Sequence, residues 1–267
     1  MTRLTTEWIH NMCNELPEWG KNLEEISQMS LLNLASLGGD VSRGRINSAS
    51  WRLKVAVVPV TQGEGIIETF CEQVAAIVRF MGFEVFVTEQ TDVWGIYEAT
   101  QKGAGIIFLA DDMYFLALNM AKNVVVENSD ATARGFVAAL EGAAGGLRDK
   151  QVLVLGGGRV GKAALSFLKC RGADGVVFDT DPSVAKERAA EGWKTISSKD
   201  EIKNYNLIVD CTPEGNWITP EMLHPDVIFA SPGVPLSLTE EAYEKYQDRI
   251  IHDLLQLGVI TMLVMAC

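Results

Sequence analysis

Two adjacent aspartates stand where an apolar segment of the chain ends. The stretch GIIFLADDMYFLAL, residues 105–118, is apolar except for Asp111, Asp112 and Tyr114, which predicts a buried strand that ends on a pair of carboxylates. Successive side chains of an extended segment point to opposite sides, so we expect one carboxylate to face a cleft and the other to face solvent or a helix N-terminus. The spacing leaves open the alternative that both aspartates cap a helix over the following residues, MYFLALN.

A carboxylate beside an apolar pocket would bind a cationic amine strongly, because the local dielectric is low. An amine substrate suits a hydride-transfer enzyme that oxidises a C–N bond, whereas alcohol oxidation usually employs a His or Lys base. The three histidines, His10, His224 and His252, are scattered, and we interpret them as surface or packing residues. The spacing of His, Cys and Asp predicts no metal site, and the absence of a Gly-x-Ser-x-Gly sequence argues against a serine hydrolase.

A glycine-rich turn follows a second apolar strand. The segment GGGRVG places Gly156, Gly158 and Gly161 at the spacing G-x-G-x-x-G, with Arg159 and Val160 inside the motif. The first glycine permits a tight turn, the second lets the backbone approach a pyrophosphate, and the third allows close packing of helix on strand. The turn therefore predicts a dinucleotide site that includes all five residues.

The next predicted strand, GVVFDTD, carries Asp179, about 20 residues beyond the turn, where an acid binds the adenosine ribose hydroxyls. Such an acid repels a 2′-phosphate, so NAD is favoured as the cofactor. Arg159 and Arg171 keep NADP as the alternative.

Two later strands end in DCTPEG and ASPGVP. Loops at the carboxyl ends of such strands line the crevice that holds the nicotinamide. We therefore expect this wall to include Thr212, Pro213, Ser231, Pro232 and Gly233. The alternative is that proline and glycine simply terminate the strands.

Composition narrows the class of protein. The 267 residues include 48% hydrophobic and 22% charged residues, with a formal net charge of −12, which is typical of a globular protein and disfavours nucleic acid or an anionic membrane as a partner. Five dispersed cysteines favour a reducing compartment, and the polar N-terminal residues predict no signal peptide. We expect a cytoplasmic enzyme.

The pattern along the chain predicts an α/β protein. Residues 5–39 are predicted to be helical, with Pro17 ending or kinking the first helix and a second helix over residues 22–37. Short β-branched strands then alternate with helices from Lys54, and the alternation restarts at Gln151, which predicts parallel sheets. We expect N-terminal helices and a three-layer parallel α/β substrate domain over residues 1–148, a Rossmann dinucleotide-binding domain over 149–257, and a buried C-terminal helix over 258–267 that packs back on the first domain.

Five segments together resemble the pyrrolysine synthase family (PylD), the NAD-dependent dehydrogenases that complete pyrrolysine biosynthesis. They are RLTTEWI, KVAVVPVTQGEGII, LADDMYFLA, VLGGGRVG and ASPGVP. The glycine turn is generic, but VPVT-x-G-x-GII combined with ADD at a strand end is specific, and the resemblance spans nearly the whole chain.

The resemblance implies NAD-dependent oxidation of the terminal amine of L-lysine-Nε-3-methyl-D-ornithine, with release of ammonia and pyrroline ring closure to L-pyrrolysine. It also implies that Asp111 is catalytic and binds substrate, that Val60 and Thr61 bind substrate, and that a substrate-covering helix begins at Leu4. A homodimer is expected. The alternatives are another two-domain NAD-dependent amino-acid or folate dehydrogenase, and a non-catalytic NAD-sensing regulator.

Overall fold

The computed structural model describes residues 4–9 and 12–267, which form two compact units. The first unit comprises the described residues up to Lys21, Leu31–Gly135 and Leu254–Cys267. The second comprises Asn22–Ser30 and Phe136–Asp253. The two units divide at residues 135 and 136, inside a helix, whereas the domain boundary expected from sequence lies at residue 148.

Four helices precede the first strand: α1 (Thr6–Ile9), α2 (Met12–Ser27), α3 (Leu31–Gly39) and α4 (Arg43–Arg52). Of the two effects expected of Pro17, ending or kinking the first helix, the ending is wrong, because Pro17 lies inside α2. Buried residues at helical spacing, Met12, Leu16 and Leu23, continue across it, so burial of this face outweighs the hydrogen bond that proline removes. The expected second helix is instead interrupted at Gln28, whose φ of 56° is left-handed.

The first unit contains a five-stranded sheet with the order β2-β1-β3-β4-β5. Its elements, with the intervening helices, are β1 (Lys54–Val58), α5 (Phe70–Phe80), β2 (Glu84–Val87), α6 (Asp92–Gln101), β3 (Ala104–Ala110), β4 (Phe115–Asn119) and β5 (Val124–Glu127). Strands β2, β1 and β3 are parallel, as predicted, but β4 and β5 are antiparallel to their neighbours.

The helix considered for residues 113–119 is wrong, since most of that segment is β4. Phe115, Ala117 and Asn119 are buried while the two leucines between them are half-buried, which is the period-2 pattern of a strand. The ring of Phe115 packs on Phe70 and Phe108, with centroid distances of 5.4 and 5.9 Å. Apolar residues on both faces hid this alternation in the sequence.

The C-terminal helix α11 (Gln256–Ala266) supplies much of the first unit's core. All its residues except Met265 are buried, and it contacts α3, α5, β4 and β5. The side-chain amide of Asn119 donates to the Ala266 carbonyl at 2.8 Å. Buried hydrophobic surface on all sides explains why this helix is apolar all round.

Helix α7 (Asn128–Ala143) leads into the six-stranded sheet of the second unit. The elements are β6 (Gln151–Leu155), α8 (Arg159–Cys170), β7 (Asp174–Phe178), α9 (Pro182–Ala190), β8 (Lys194–Thr195), β9 (Leu207–Asp210), β10 (Ile228–Ser231), α10 (Glu240–Tyr246) and β11 (Ile250–His252). All neighbouring strands are parallel, in the order β11-β10-β9-β6-β7-β8.

This strand order is that of the doubly wound dinucleotide-binding fold, with β6 as its first strand. The predicted α/β fold class with a Rossmann domain is therefore confirmed. Within residues 4–9 and 12–267, no helix combines the length and apolar character needed to cross a membrane.

The packing of α11 yields a stability prediction. Leu263 is completely buried, so Leu263→Ala should lower the free energy of unfolding by about 2–5 kcal/mol through lost burial and a residual cavity. Urea unfolding measures this loss. Val125→Ala, at a β5 side chain that is 65% exposed, is the control and should change it by less than about 0.5 kcal/mol; equal effects of the two variants would contradict the assigned core.

Candidate active site

Two loops of the first unit meet at the carboxyl edge of its sheet. Strands β1 and β3 are parallel neighbours, with Val58 paired to Leu109, so the loops that follow them leave the sheet at the same edge. One loop, residues 59–69, carries Val60 and Thr61, and the other carries Asp111. The structure thus brings together three of the residues expected to bind substrate.

Asp111 shapes the turn between β3 and β4. Its Oδ1 accepts hydrogen bonds from the backbone N–H groups of Met113 and Tyr114, both at 2.7 Å, while its own N–H donates to the Tyr114 carbonyl at 2.8 Å. Its Oδ2 makes no hydrogen bond with the described residues. The group is exposed, so one oxygen serves the fold and the other is available to a ligand.

Asp112 holds the neighbouring loop instead of a helix. Its Oδ2 accepts from the backbone N–H of Glu64 at 2.7 Å. A Cβ on Gly63 would lie only 1.9 Å from that oxygen, and Gly63 has a φ of +85°, so only glycine fits there. Asp112 is exposed like Asp111, and both carboxylates accept hydrogen bonds from backbone N–H groups.

Asp92 is a further residue of this edge, and the sequence analysis missed it. It is the first residue of α6 and has a φ of 54°, a conformation that costs free energy in a residue other than glycine. Its two carboxylate oxygens accept from the backbone N–H and the hydroxyl of Thr61, at 2.8 and 2.7 Å. An aspartate at a helix start indicates only a cap, so nothing in the sequence pointed to a partner 31 residues away.

These hydrogen bonds set the protonation of Asp92 and the orientation of Thr61. The backbone N–H of Thr61, followed by its hydroxyl, lowers the pKa of Asp92. Since the hydroxyl hydrogen of Thr61 points to Asp92, its oxygen can only accept from a ligand. The edge of the sheet thus presents Asp111 Oδ2 and Thr61 Oγ1 as acceptors, which suits a ligand with N–H donors.

The N-terminal segment expected to cover substrate is described in part. Leu4 is half-buried and packs against the hydrophobic core of the first unit, and Ile9 in α1 is fully buried. His10 lies outside the described residues.

In the second unit, the glycine turn has the backbone that the motif predicts. Gly156 has a φ of +84°, and a Cβ on Gly161 would lie 1.8 Å from the Gly156 carbonyl oxygen. A Cβ on Gly158 would meet no atom within 4 Å, so the turn is open at the glycine that precedes α8. Exposed Arg159 and half-buried Val160 begin that helix.

Asp179 lies immediately after β7 beside the turn. Its Oδ2 accepts from the Gly157 N–H at 2.6 Å, and its Oδ1 accepts from the Asp181 N–H at 2.8 Å. A carboxylate has about four acceptor positions, so both oxygens retain capacity for ribose hydroxyls. The open turn, the helix N-terminus and this acid fit an NAD molecule.

One of the two arginines that kept NADP as an alternative, Arg171, is not placed to bind a phosphate. Arg171 forms a two-point ion pair with Glu141, with Nε–Oε2 and Nη2–Oε1 distances of 2.6 and 2.8 Å. It lies at the C-terminal end of α8, whereas phosphate groups bind at the N-terminal end.

The strand ends opposite the turn are joined by buried polar groups. Asp210, fully buried at the end of β9, accepts from the Thr212 N–H and hydroxyl and from the Ser231 hydroxyl, at 3.1, 2.7 and 3.0 Å. The Gly233 N–H donates to the Asp210 carbonyl at 3.0 Å. Of the wall residues predicted from sequence, Ser231 and Gly233 are buried, Thr212 and Pro232 are half-buried, and Pro213 is exposed.

His252 completes this cluster at the end of β11. Its Nδ1 lies 2.9 Å from the Ser231 carbonyl oxygen, and because a carbonyl only accepts, Nδ1 carries the proton. Burial lowers the pKa of His252 and raises the pKa of Asp210. From the sequence, His252 was interpreted as a surface or packing residue, because the strand ends become neighbours only in the sheet.

Comparison with known proteins identifies the family to which the chain belongs. Residues 12–126 match the family model described as pyrrolysine biosynthesis protein PylD, N-terminal domain, and residues 135–227 match the NAD binding domain of S-adenosyl-L-homocysteine hydrolase. Pyrrolysine synthase of Methanosarcina barkeri (strain Fusaro) is 32% identical over 266 residues, which cover 98% of this chain and 97% of that protein. The chain belongs to the pyrrolysine synthase family. The resemblance predicted from sequence motifs is confirmed.

Solved structures share the fold at low sequence identity. Shikimate 5-dehydrogenase from Thermus thermophilus, in complex with NADP(H) and shikimate, has a TM-score of 0.52 and 16% identity, covering 79% of this chain and 90% of that one. Quinate dehydrogenase from Corynebacterium glutamicum, in complex with NAD, has a TM-score of 0.53 and 14% identity, covering 80% and 93%. These structures confirm the fold, and membership of the pyrrolysine synthase family together with the matched NAD binding domain supports an NAD-dependent oxidoreductase.

Two glycines of the turn should respond differently to substitution. Gly158→Ala should leave the free energy of unfolding within about 0.5 kcal/mol of the parent, because the added methyl meets no protein atom, yet weaken NAD binding about tenfold or more by blocking the approach of the pyrophosphate. Gly161→Ala should reduce both, since the methyl collides with the Gly156 carbonyl. Calorimetric titration with NAD and urea unfolding measure the two effects; full NAD affinity in Gly158→Ala would exclude this placement of the phosphates.

The Asp92–Thr61 contact should be visible in a titration. Because the folded-state pKa of Asp92 is lowered, the contact stabilises the loop above the ordinary aspartate pKa and is lost as the pH falls through the lowered value. Thr61→Ala removes one donor and should raise the Asp92 pKa part of the way back, while Thr61→Ser should not. Carbon-detected NMR of the aspartate carboxyls measures this, and identical Asp92 titrations in the two variants would contradict the contact.

Proposed function

We propose that this protein oxidises the terminal amine of L-lysine-Nε-3-methyl-D-ornithine with NAD, releases ammonia and closes the pyrroline ring of L-pyrrolysine. The observation that carries the proposal is the Asp111 carboxylate at the edge of the first sheet, in a chain whose family is that of the pyrrolysine synthases. The donor is then a CH–NH2 group, in agreement with the acceptor oxygens at this edge.

Asp111 is proposed to act on the reacting amine. Its Oδ1 is engaged by the turn, so Oδ2 orients the substrate ammonium. Oxidation requires a free lone pair on nitrogen, yet a neighbouring carboxylate favours the charged amine. Asp111 therefore first binds the ammonium and then takes or relays its proton.

Gly158 and Asp179 would hold NAD at the glycine turn, and the bound cofactor would supply the hydride acceptor for the carbon next to nitrogen. The substrate imine, or the aldehyde that its hydrolysis gives, is then attacked by the nearby α-amine of the same ornithine moiety. This step is intramolecular and benefits from a high effective concentration. Ammonia leaves and the five-membered ring closes.

The neighbouring residues are proposed to hold the rest of the substrate. Thr61 accepts from an N–H group because its own hydrogen is donated to Asp92, and Val60 contributes half-buried apolar surface. Ile66, Met113 and Tyr114 are 49%, 64% and 50% exposed on the same two loops; substrate methylenes would cover part of this surface. Leu4 is proposed to close over the substrate.

Assembly and location follow from the family resemblance and the acidic composition. We propose a homodimer that works in the cytoplasm on a small-molecule substrate, without nucleic acid or membrane. Light scattering of the purified protein measures its oligomeric state.

Substitution of Asp111 tests the assigned chemistry. Asp111→Asn retains the oxygen that accepts from Met113 and Tyr114, so the turn should persist while the charge is lost. We expect NADH formation from the lysine–ornithine conjugate to fall about 100-fold or more, as for removal of a general base. Asp111→Ala should show at least the same loss.

Asp112→Asn is the matched control, since it removes the adjacent charge and keeps an acceptor for the Glu64 N–H. We expect a loss of less than about tenfold, because Asp112 acts only through the loop. Near-normal NADH formation in either Asp111 variant would refute the role of Asp111. If the parent protein binds NAD but gives no NADH with the conjugate, the function is that of an NAD sensor or of a dehydrogenase with another substrate.

A further inference from the structure

We propose that the buried carboxyl of Asp210, acting through Thr212 and Ser231, is a positioning residue for the nicotinamide half of the cofactor. This inference concerns NAD recognition alone and does not depend on the identity of the amine substrate. It gives a role to the side chains of Asp210, Thr212 and Ser231, which take no part in the proposed reaction.

The sheet topology separates the two halves of a dinucleotide site. In a doubly wound fold each half of the sheet holds one mononucleotide, on either side of the first strand. Asp179, beside the glycine turn, belongs to the half formed by β6, β7 and β8 and fits the adenosine ribose. The loops after β9 and β10 belong to the other half, where the nicotinamide mononucleotide binds.

Asp210 links these two loops by side-chain hydrogen bonds. Its Oδ1 holds the first loop through two bonds from Thr212, and its Oδ2 holds the end of β10 through the Ser231 hydroxyl. Ser231 and Asp210 are both 0% exposed, so neither side chain presents a surface to a ligand. They instead fix the positions of the half-buried Thr212 and of the chain at Gly233, which line the expected nicotinamide crevice.

The third strand joins the same cluster. The Nδ1–H of His252 donates to the carbonyl of Ser231, so the ends of β9, β10 and β11 are tied together in sequence across the sheet. The close packing leaves no room for change at Gly233, where a Cβ would lie 2.3 Å from the Thr212 carbonyl oxygen. Satisfied buried polar networks of this kind impose one arrangement on the groups they connect.

Burying a carboxyl without need costs stability, which favours a specific role. Burial raises the pKa of Asp210, so the group is retained against an unfavourable desolvation that an apolar residue would avoid. The adjacent residues of β9, Ile208 and Val209, are apolar and equally buried. Within β9 the polar residue is Asp210, at the strand end, where the loop toward the proposed nicotinamide site begins.

The test compares NAD with ADP-ribose, which lacks only the nicotinamide ring. Calorimetry of each ligand with the full-length parent and with Ser231→Ala gives two dissociation constants per protein. We expect Ser231→Ala to weaken NAD about tenfold, the loss of one well-placed interaction, while ADP-ribose changes less than about twofold. Asp210→Ala should give at least the same ratio.

Asp210→Asn is the conservative variant. Its amide oxygen still accepts from Thr212 and its NH2 can donate to the Ser231 oxygen, so the NAD-to-ADP-ribose ratio should return most of the way to that of the parent. Val209→Ala is the control for stability: it removes buried volume from the same strand, on the opposite face, and should lower the melting temperature without changing the ratio.

A general loss of structure would weaken both ligands in parallel, which would overturn the proposal. An unchanged ratio in Ser231→Ala would also overturn it. If Asp210→Ala does not fold, Ser231→Ala and Asp210→Asn still decide the question, because each leaves the core apolar packing intact. These ligand measurements are independent of the amine substrate, so they stand whether or not the lysine–ornithine conjugate is oxidised.

Discussion

Carboxylates that accept hydrogen bonds from backbone N–H groups hold the loops of both candidate sites. Asp92 binds Thr61, Asp111 binds its own turn, Asp112 binds Glu64, Asp179 binds Gly157, and Asp210 binds Thr212. Loops at strand ends have backbone donors that no ladder satisfies, and a charged acceptor bonds them more strongly than a neutral one. The same side chains therefore determine loop geometry and place negative charge or acceptor oxygens at the edges where ligands are proposed to bind.

This double use separates two aspartates that look alike in the sequence. Asp111 bonds residues two and three positions ahead, which leaves it at the tip of the turn with one oxygen for a ligand. Asp112 reaches across to another loop and lies against Gly63, where no side chain could fit. Asp111 is therefore placed to bind a ligand, and Asp112 is placed to hold the neighbouring loop.

The second unit divides its polar groups in the same way. Asp179 is half-buried beside an open glycine turn, where ribose hydroxyls can use its remaining lone pairs. Asp210 is fully buried and accepts hydrogen bonds from Thr212 and Ser231. Exposure thus separates the acid proposed to bind the ribose from the acid proposed to hold the loops around the cofactor.

Features that depend on local pattern could be predicted from the sequence, whereas contacts between distant groups became visible only in the folded chain. Glycine spacing between a strand and a helix, the acid after the next strand and the alternation of β-branched and helical segments predicted the Rossmann unit, because those rules act over short distances. The motifs around Thr61 and Asp111 were also sufficient for the family. The helix left open as an alternative for residues 113–119 was wrong, since apolar side chains on both faces conceal the period of a strand.

Contacts between distant residues follow from strand order and from the burial of whole elements. Asp92 and Thr61 are 31 positions apart, and Asp210, Ser231 and His252 come from three strands that neighbour one another only once the sheet has formed. Pro17 inside α2 is a further case, since burial of one face overcame its local preference. No window of sequence contains this information, because it arises only when the elements pack.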